Sequence, residues 1–382
     1  MLTAAFWISL LGVVYSYFLY PFILLLLTKA KNAKPSAENI TNELPFVSLV
    51  ITAYNEERNI ADKLDDTLKV TYPGQLEIIV ASDGSTDKTD EIVNAYADRG
   101  VKLVRPEQRL GKENAQKHAI AHCAGSIVVF SDVSTKIPED ALVHVVKYFD
   151  DPRIGAISSE DRFIANDNNE TPGEGLYVRY EMWLRSLESK LAGLVGLSGS
   201  FFAARINICQ EWDIRSPSDF NTALQCARQG YKAVTAPDVL GYYKDLADPK
   251  KEYQRKLRTV IRGMTAVSRN PACLNPLAFG LFAFQLFSHK IMRWLVPCFM
   301  VACLFLNAIL VMSGGAWIYQ ALLACQLGFY SLALLGHALP ALQSVSVIRL
   351  MVFFVRVNFA LLDAGIQFVS GKRMTVWEPS KR

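Results

Sequence analysis
The sequence offers little from which a metal knuckle, a disulfide framework or a nucleic-acid surface could be built. Its seven cysteines are odd in number and no two stand as Cys-x-x-Cys. They read as buried, reduced thiols. The net charge is only +4, and much of the basic charge lies beside apolar stretches. Anionic lipid headgroups would attract it there, whereas a nucleic-acid binder needs a clustered basic face. No internal repeat or low-complexity tract is present. Charge is missing altogether from Phe6 to Leu27, a run long enough to cross a bilayer.

Hydrophobicity is what the chain has in excess. Apolar residues make up 51% and charged ones 20%. The apolar excess gathers at the two ends, as membrane spans flanking a soluble middle would have it. Residues 1–28 read as an N-terminal transmembrane helix, too long for the core of a signal peptide. Lys29, Lys31 and Lys34 follow it and no basic residue precedes it. The positive-inside rule then puts the N-terminus outside and the next segment in the cytoplasm. Residues 29–45 read as a linker. At the far end, residues 271–293 read as an interfacial amphipathic segment with His289, Lys290 and Arg293 at headgroup level. Residues 294–337 form a transmembrane hairpin turning at Ser313-Gly314-Gly315. Within residues 338–382, Arg349, Arg356 and Asp363 interrupt the last apolar stretch. A third crossing would also carry the basic tail outside, so a re-entrant or interfacial segment is expected.

The middle, residues 46–270, alternates in a different way. Val47–Ile51, Leu76–Val80, Val101–Val104 and Ser126–Phe130 are short β-rich runs, separated by the helix-like Glu57–Leu68, Lys88–Asp98 and Lys112–His122. That alternation predicts an open, mostly parallel, Rossmann-like α/β sheet. Ligands of such sheets bind beyond the carboxyl ends of the strands, so the residues there carry the interest. After the first run come Ala53-Tyr54-Asn55-Glu56-Glu57. Asn55 or Glu56 can read a base edge and Tyr54 can pack on it, or Asn55 simply caps the next helix. After the second come Ser82-Asp83-Gly84-Ser85-Thr86-Asp87, which place a carboxylate over the sheet edge and also make a good turn. Gly111-Lys112 suits a diphosphate contact. The fourth run ends at Ser131-Asp132, where a divalent cation bridging a diphosphate would explain an acidic residue at a buried strand end.

Taken together and in this order, these four motifs resemble the membrane-bound family 2 glycosyltransferases of the GT-A fold, of the bacterial exopolysaccharide-biosynthesis type. The likeness covers residues 46–265. It implies an inverting transfer from a nucleotide-sugar donor, a UDP-sugar first of all, to a lipid-linked or polysaccharide acceptor. It assigns Ala53, Tyr54, Asn55, Glu56, Asp83, Lys112, Ser131 and Asp132 to the donor, with Mg2+ or Mn2+ on Asp132. The family's usual metal motif is Asp-x-Asp, but Ser134 stands at its second position here.

The acceptor side follows. Leu197–Arg205 resembles the family's small-residue segment, with Gly199 and Ser200 allowing a close approach. Asp219, in Ser216-Pro217-Ser218-Asp219-Phe220, resembles the second acidic motif and is the expected base, although its position would also suit a helix N-cap. Arg255, Arg258 and Arg262 form a basic cluster suited to a diphosphate or a lipid-linked phosphate. Processive synthases carry Gln-x-x-Arg-Trp in this region, and Thr259 stands in place of the Trp. The basic tail from Gly371 to Arg382 resembles those of exopolysaccharide-type members and is expected in the cytoplasm near the site. Two rival readings remain at this stage: a processive synthase that translocates its product, and a degenerate transferase that scaffolds a polysaccharide-assembly complex.

Overall fold
The computed structural model describes residues 1–30, 44–163, 172–243 and 249–374. Lys31, Lys34, most of the expected linker and the tail from Thr375 onward lie outside the described residues. The chain enters through α1 (Leu2–Val14) and α2 (Tyr20–Ala30), joined by a π-turn at Tyr15–Leu19 into one apolar rod.

The α/β domain begins at β1 (Val47–Ala53) and continues through α3 (Ile60–Thr67), β2 (Leu76–Ser82), α4 (Thr89–Asn94), β3 (Val101–Val104), α5 (Lys112–Ile120), β4 (Ile127–Asp132) and α6 (Ala141–Lys147). Then come β5 (Ile154–Phe163), α7 (Pro172–Leu191), β6 (Phe201–Arg205), α8 (Ser218–Arg228), β7 (Lys232–Tyr243) and α9 (Pro249–Arg269). The seven described strands form one sheet in the order β3-β2-β1-β4-β6-β5-β7. β6 runs antiparallel to both its neighbours and the other pairings are parallel. Every residue of β1 is buried, as expected of a central strand covered on both faces. Val50, Ile79, Val128, Phe130 and Phe202 fill one face against α5 and α8. Leu49, Val129, Leu142 and Val145 fill the other.

Register gathers the strand ends. Ala53 pairs with Ser82, Thr52 with Asp132 and Ser131 with Phe201. The segments after β1, β2 and β4 therefore leave the sheet at one edge, where β6 enters from Gly199 and Ser200.

The C-terminal part packs beneath that edge. α10 (Pro276–Leu286), a π-turn at Phe287–Ile291 and α11 (Met292–Met312) form one continuous helix, kinked at Gly280 where φ is +50°. α12 (Trp317–Ala338) returns beside it, and α13 (Ser346–Val369) closes the bundle. Leu2–Ala30, Pro276–Met312 and Trp317–Ala338 are long and apolar enough to cross a membrane.

The segment expected to be re-entrant or interfacial is a helix, Ser346–Val369, and is not among the three described helices long and apolar enough to cross a membrane. It packs on α12, α9 and α11, and its Asp363 accepts a hydrogen bond from Tyr253 at 2.7 Å. His289 and Arg293 do not face headgroups: they are 3% and 7% exposed. Glu181 and Glu188, two turns apart on α7, supply carboxylates that pair them inside the protein.

Candidate functional site
The strand-end edge opens into a cleft lined by Glu56, Lys112, Asp132, Ser134, Gly199, Ser200, Asp219, Arg255, Arg258 and Arg262. Lys112 starts α5 just past Gly111, whose φ of +105° only glycine adopts easily. Its ammonium bonds Asp132 Oδ1 at 2.5 Å and donates to the Gly199 carbonyl at 2.9 Å. One side chain thereby ties the end of β4 to the entry of β6. Asp219 opens α8 on the facing wall. Burial raises its carboxyl above the ordinary range, while the charges of Lys112 and Arg262 pull it back.

Asp83 is fully buried beside the cleft and accepts the Gly111 N–H at 3.0 Å. The Arg109 guanidinium lies 3.6 Å from its other oxygen and 3.7 Å above the Tyr54 ring centroid. Tyr54, Asp83 and Arg109 are therefore packed against one another beside the cleft. Asn55, at φ +51°, uses its side chain on Thr86, linking the segments that follow β1 and β2. Ala53 is wholly buried in β1 and contributes backbone only: its carbonyl accepts the Asp83 N–H. Ser131 turns away from the cleft, accepting a 2.8 Å hydrogen bond from the buried Lys63 of α3. Lys63 also donates to the Thr135 carbonyl at 2.5 Å, bracing the Asp132–Thr135 turn from behind.

The expected residues thus fall into three places. Glu56, Lys112, Asp132, Gly199, Ser200, Asp219, Arg255 and Arg258 line one cleft. Ala53, Tyr54, Asn55 and Asp83 lie beside it at the ends of β1 and β2, and Ser131 supports the wall. The motifs did not reveal Asp161 of β5, which lines the cleft and accepts hydrogen bonds from Ser198 and Ser200. Nor did they reveal Glu113, 1% exposed, which takes Arg262 in a 2.7 Å ion pair. Glu113 adjoins the Gly111-Lys112 motif, but its partner Arg262, like the Ser198 and Ser200 that meet Asp161, is far away in sequence.

Residues 48–211 match the family described as Glycosyl transferase family 2. The chain carries a family 2 glycosyltransferase domain. Over 192 residues, 48% of its length, the chain is 30% identical to a beta-monoglucosyldiacylglycerol synthase of Nostoc sp. strain PCC 7120 and covers 41% of that protein. Over 161 residues it is 30% identical to a poly-beta-1,6-N-acetyl-D-glucosamine synthase of Staphylococcus epidermidis and covers 36% of it. The chain therefore spans less than half the length of these curated relatives. Among solved structures, a mannosyltransferase from Pyrobaculum calidifontis in complex with GDP-Man and Mn2+ superposes with a TM-score of 0.73 at 23% identity, covering 97% of this chain and 100% of that one. The fold of the glycosyltransferase domain is GT-A.

The donor set fits a divalent ion that arrives with a diphosphate. Magnesium needs one or two protein carboxylates, with phosphate and water filling its other positions. Asp132 and Glu56 both line the cleft. Burial, and then the charges of Asp132 and Asp87, push the Glu56 carboxyl up, against a hydrogen bond from Asn59. The two carboxylates thus line one cleft, where the charge of Asp132 acts on Glu56.

Proposed function
We propose that the domain transfers a glycosyl group, with inversion, from a nucleoside-diphosphate sugar to a lipid-linked or polysaccharide acceptor at the cytoplasmic face of the inner membrane. The observation that carries this reading is the meeting of Lys112, Asp132, Gly199 and Asp219 in one cleft. Tyr54 and Asp83 take the nucleobase, and Asn55 ties together the segments that carry them. Asp132, with Glu56, would hold Mg2+ or Mn2+ against the diphosphate, where the ion supplies charge neutralisation. Lys112 contributes a fixed positive charge to the same phosphates.

Asp219 acts on the acceptor. Its carboxylate takes the hydroxyl proton as that oxygen bonds to the anomeric carbon, and the bond from that carbon to the phosphate oxygen breaks. The electron pair leaves on the nucleoside diphosphate, and Arg255 and Arg258 line the wall toward which it departs. Gly199 lets the sugar approach the backbone. Thr259 supplies no aromatic platform for a growing chain, which supports a single transfer over a processive one.

The test is a panel of radiolabelled nucleotide sugars offered to membranes carrying the full chain, with and without Mn2+. One donor should label a lipid or polysaccharide fraction, and Asp219→Asn should lower the rate by about a hundredfold or more while donor binding persists. Label transferred equally well by Asp219→Asn would refute the reading. A ladder of products would replace single transfer with chain extension.

A further inference from the structure
The junction between the glycosyltransferase domain and the membrane helices holds much buried charge, and nearly all of it is paired. Arg293 bonds Glu181, and His289 lies 2.7 Å from Glu188 and 3.3 Å from Glu181. Arg262 is paired with Glu113. Among the described residues Lys290, partly buried, is the exception. It sits amid the charges of Glu181, Glu188, Arg293 and Arg185, yet it makes no hydrogen bond or ion pair with any described residue. Its ammonium instead faces the Phe220 ring, 5.6 Å from the centroid.

That position is behind the cleft wall. Phe220 follows Asp219 and lines the same wall, as does Gly263. One turn beyond Lys290, Trp294 backs that wall: a Cβ on Gly263 would meet its ring at 3.3 Å. The helix Pro276–Met312, a candidate membrane span, therefore forms the rear of the Asp219 side of the site. An ammonium has three donors, and sinking it unpaired into protein is costly. A ring face offsets only part of that cost. The donor diphosphate already has Lys112, bonded to Asp132 across the cleft. Lys290 is partly exposed and lies on the candidate span Pro276–Met312, so the anionic headgroup of a lipid is the ligand at hand.

We infer that Lys290 binds the phosphate of a membrane-anchored acceptor lipid, holding its headgroup beside Phe220 and Asp219. This rests on the reading of the Asp219 wall as the acceptor side. Neutral lipid acceptors would leave the ammonium unsatisfied. Arginine at position 290 keeps the charge and methionine removes it at similar length.

The experiment uses purified full-length protein in detergent without any nucleotide sugar, offered phosphatidic acid or diacylglycerol, with retained lipid counted by native mass spectrometry. Wild type should prefer phosphatidic acid, Lys290→Met should lower that retention about tenfold or more, and Lys290→Arg should keep it. Should Lys290→Met not fold, Lys290→Gln takes its place. A parallel titration with UDP should give the same affinity in wild type and variant. Equal retention of the two lipids, an undiminished preference in the folded neutral variant, or a loss of UDP affinity in place of lipid would each overturn the inference. Failure of the donor reading would appear as absent UDP binding in every variant, with lipid retention untouched.

Discussion

The Asp219 carboxylate lies against the backbone of Gly199: a Cβ built on Gly199 would stand 3.2 Å from Asp219 Oδ2 and 3.5 Å from its Cγ. The same glycine's carbonyl receives Lys112. Gly199→Ala therefore displaces Asp219, Lys112 or both by a fraction of an ångström, in a wall whose fold it need not break. The transfer rate should fall about ten- to a hundredfold, since misplacing a reacting group by about 1 Å costs that much. Single-turnover transfer beside a UDP titration and a melting curve separates this from unfolding. An unchanged rate would mean that Asp219 does not act from the position it occupies.

Asp219 also sets an expectation for pH. Burial raises its carboxyl, and the Lys112 and Arg262 charges lower it in part. A base must be ionised to work, so kcat/KM is lost as pH falls through the raised value, above the ordinary carboxylate pKa of about 4. Arg262→Met removes one lowering charge and frees Glu113, whose charge raises Asp219 further. Its acid limb should lie at higher pH than that of the wild type. A limb that stays in place in the pH profile of Arg262→Met would belong to another group.

Much of the site was legible because a parallel sheet turns sequence order into spatial order. Asp83 and Asp132 each follow a run of buried β-branched residues, and the in-register pairing of β1 with β2 and β4 brings both to one edge. Asp219 was legible only through the resemblance, because the opening of a helix alone suits a cap as well as a base. Asp161 was hidden because its strand pairs with the antiparallel β6, and nothing in the local sequence announces that reversal. Lys63 was hidden because a lysine in an amphipathic helix normally faces water. Here it is 5% exposed and spends its donors on Ser131 and Thr135. His289 and Arg293 misled for a related reason. Basic residues beside an apolar run suit headgroups, and their true partners lie on α7, far away in the chain.

Those partners give the third expectation. Arg293 is 7% exposed and is bonded to Glu181. Glu181→Gln leaves that guanidinium buried without its countercharge, which costs about 3–5 kcal/mol. Thermal unfolding in detergent should show the loss, and Glu181→Gln with Arg293→Met together should recover most of it. A double variant no better than the single one would mean that the pair does not hold α7 to the membrane helices.

Ser134 carries the last. It lines the cleft two residues after Asp132, where an aspartate would complete an Asp-x-Asp pair. Asp132 already has a cation at 2.5 Å in Lys112. A second carboxylate would therefore act in two opposed directions. Without metal it adds a negative charge beside the diphosphate, and UDP binding should weaken about tenfold. With Mn2+ it adds a hard oxygen ligand, and the Mn2+ concentration for half-maximal UDP binding should fall by a similar factor. Mn2+ titrations followed by electron paramagnetic resonance, with and without UDP, read both signs on the same protein. If Ser134→Asp leaves both quantities where they were, the side chain at position 134 does not face the phosphates, and Asp132 works with Glu56 alone.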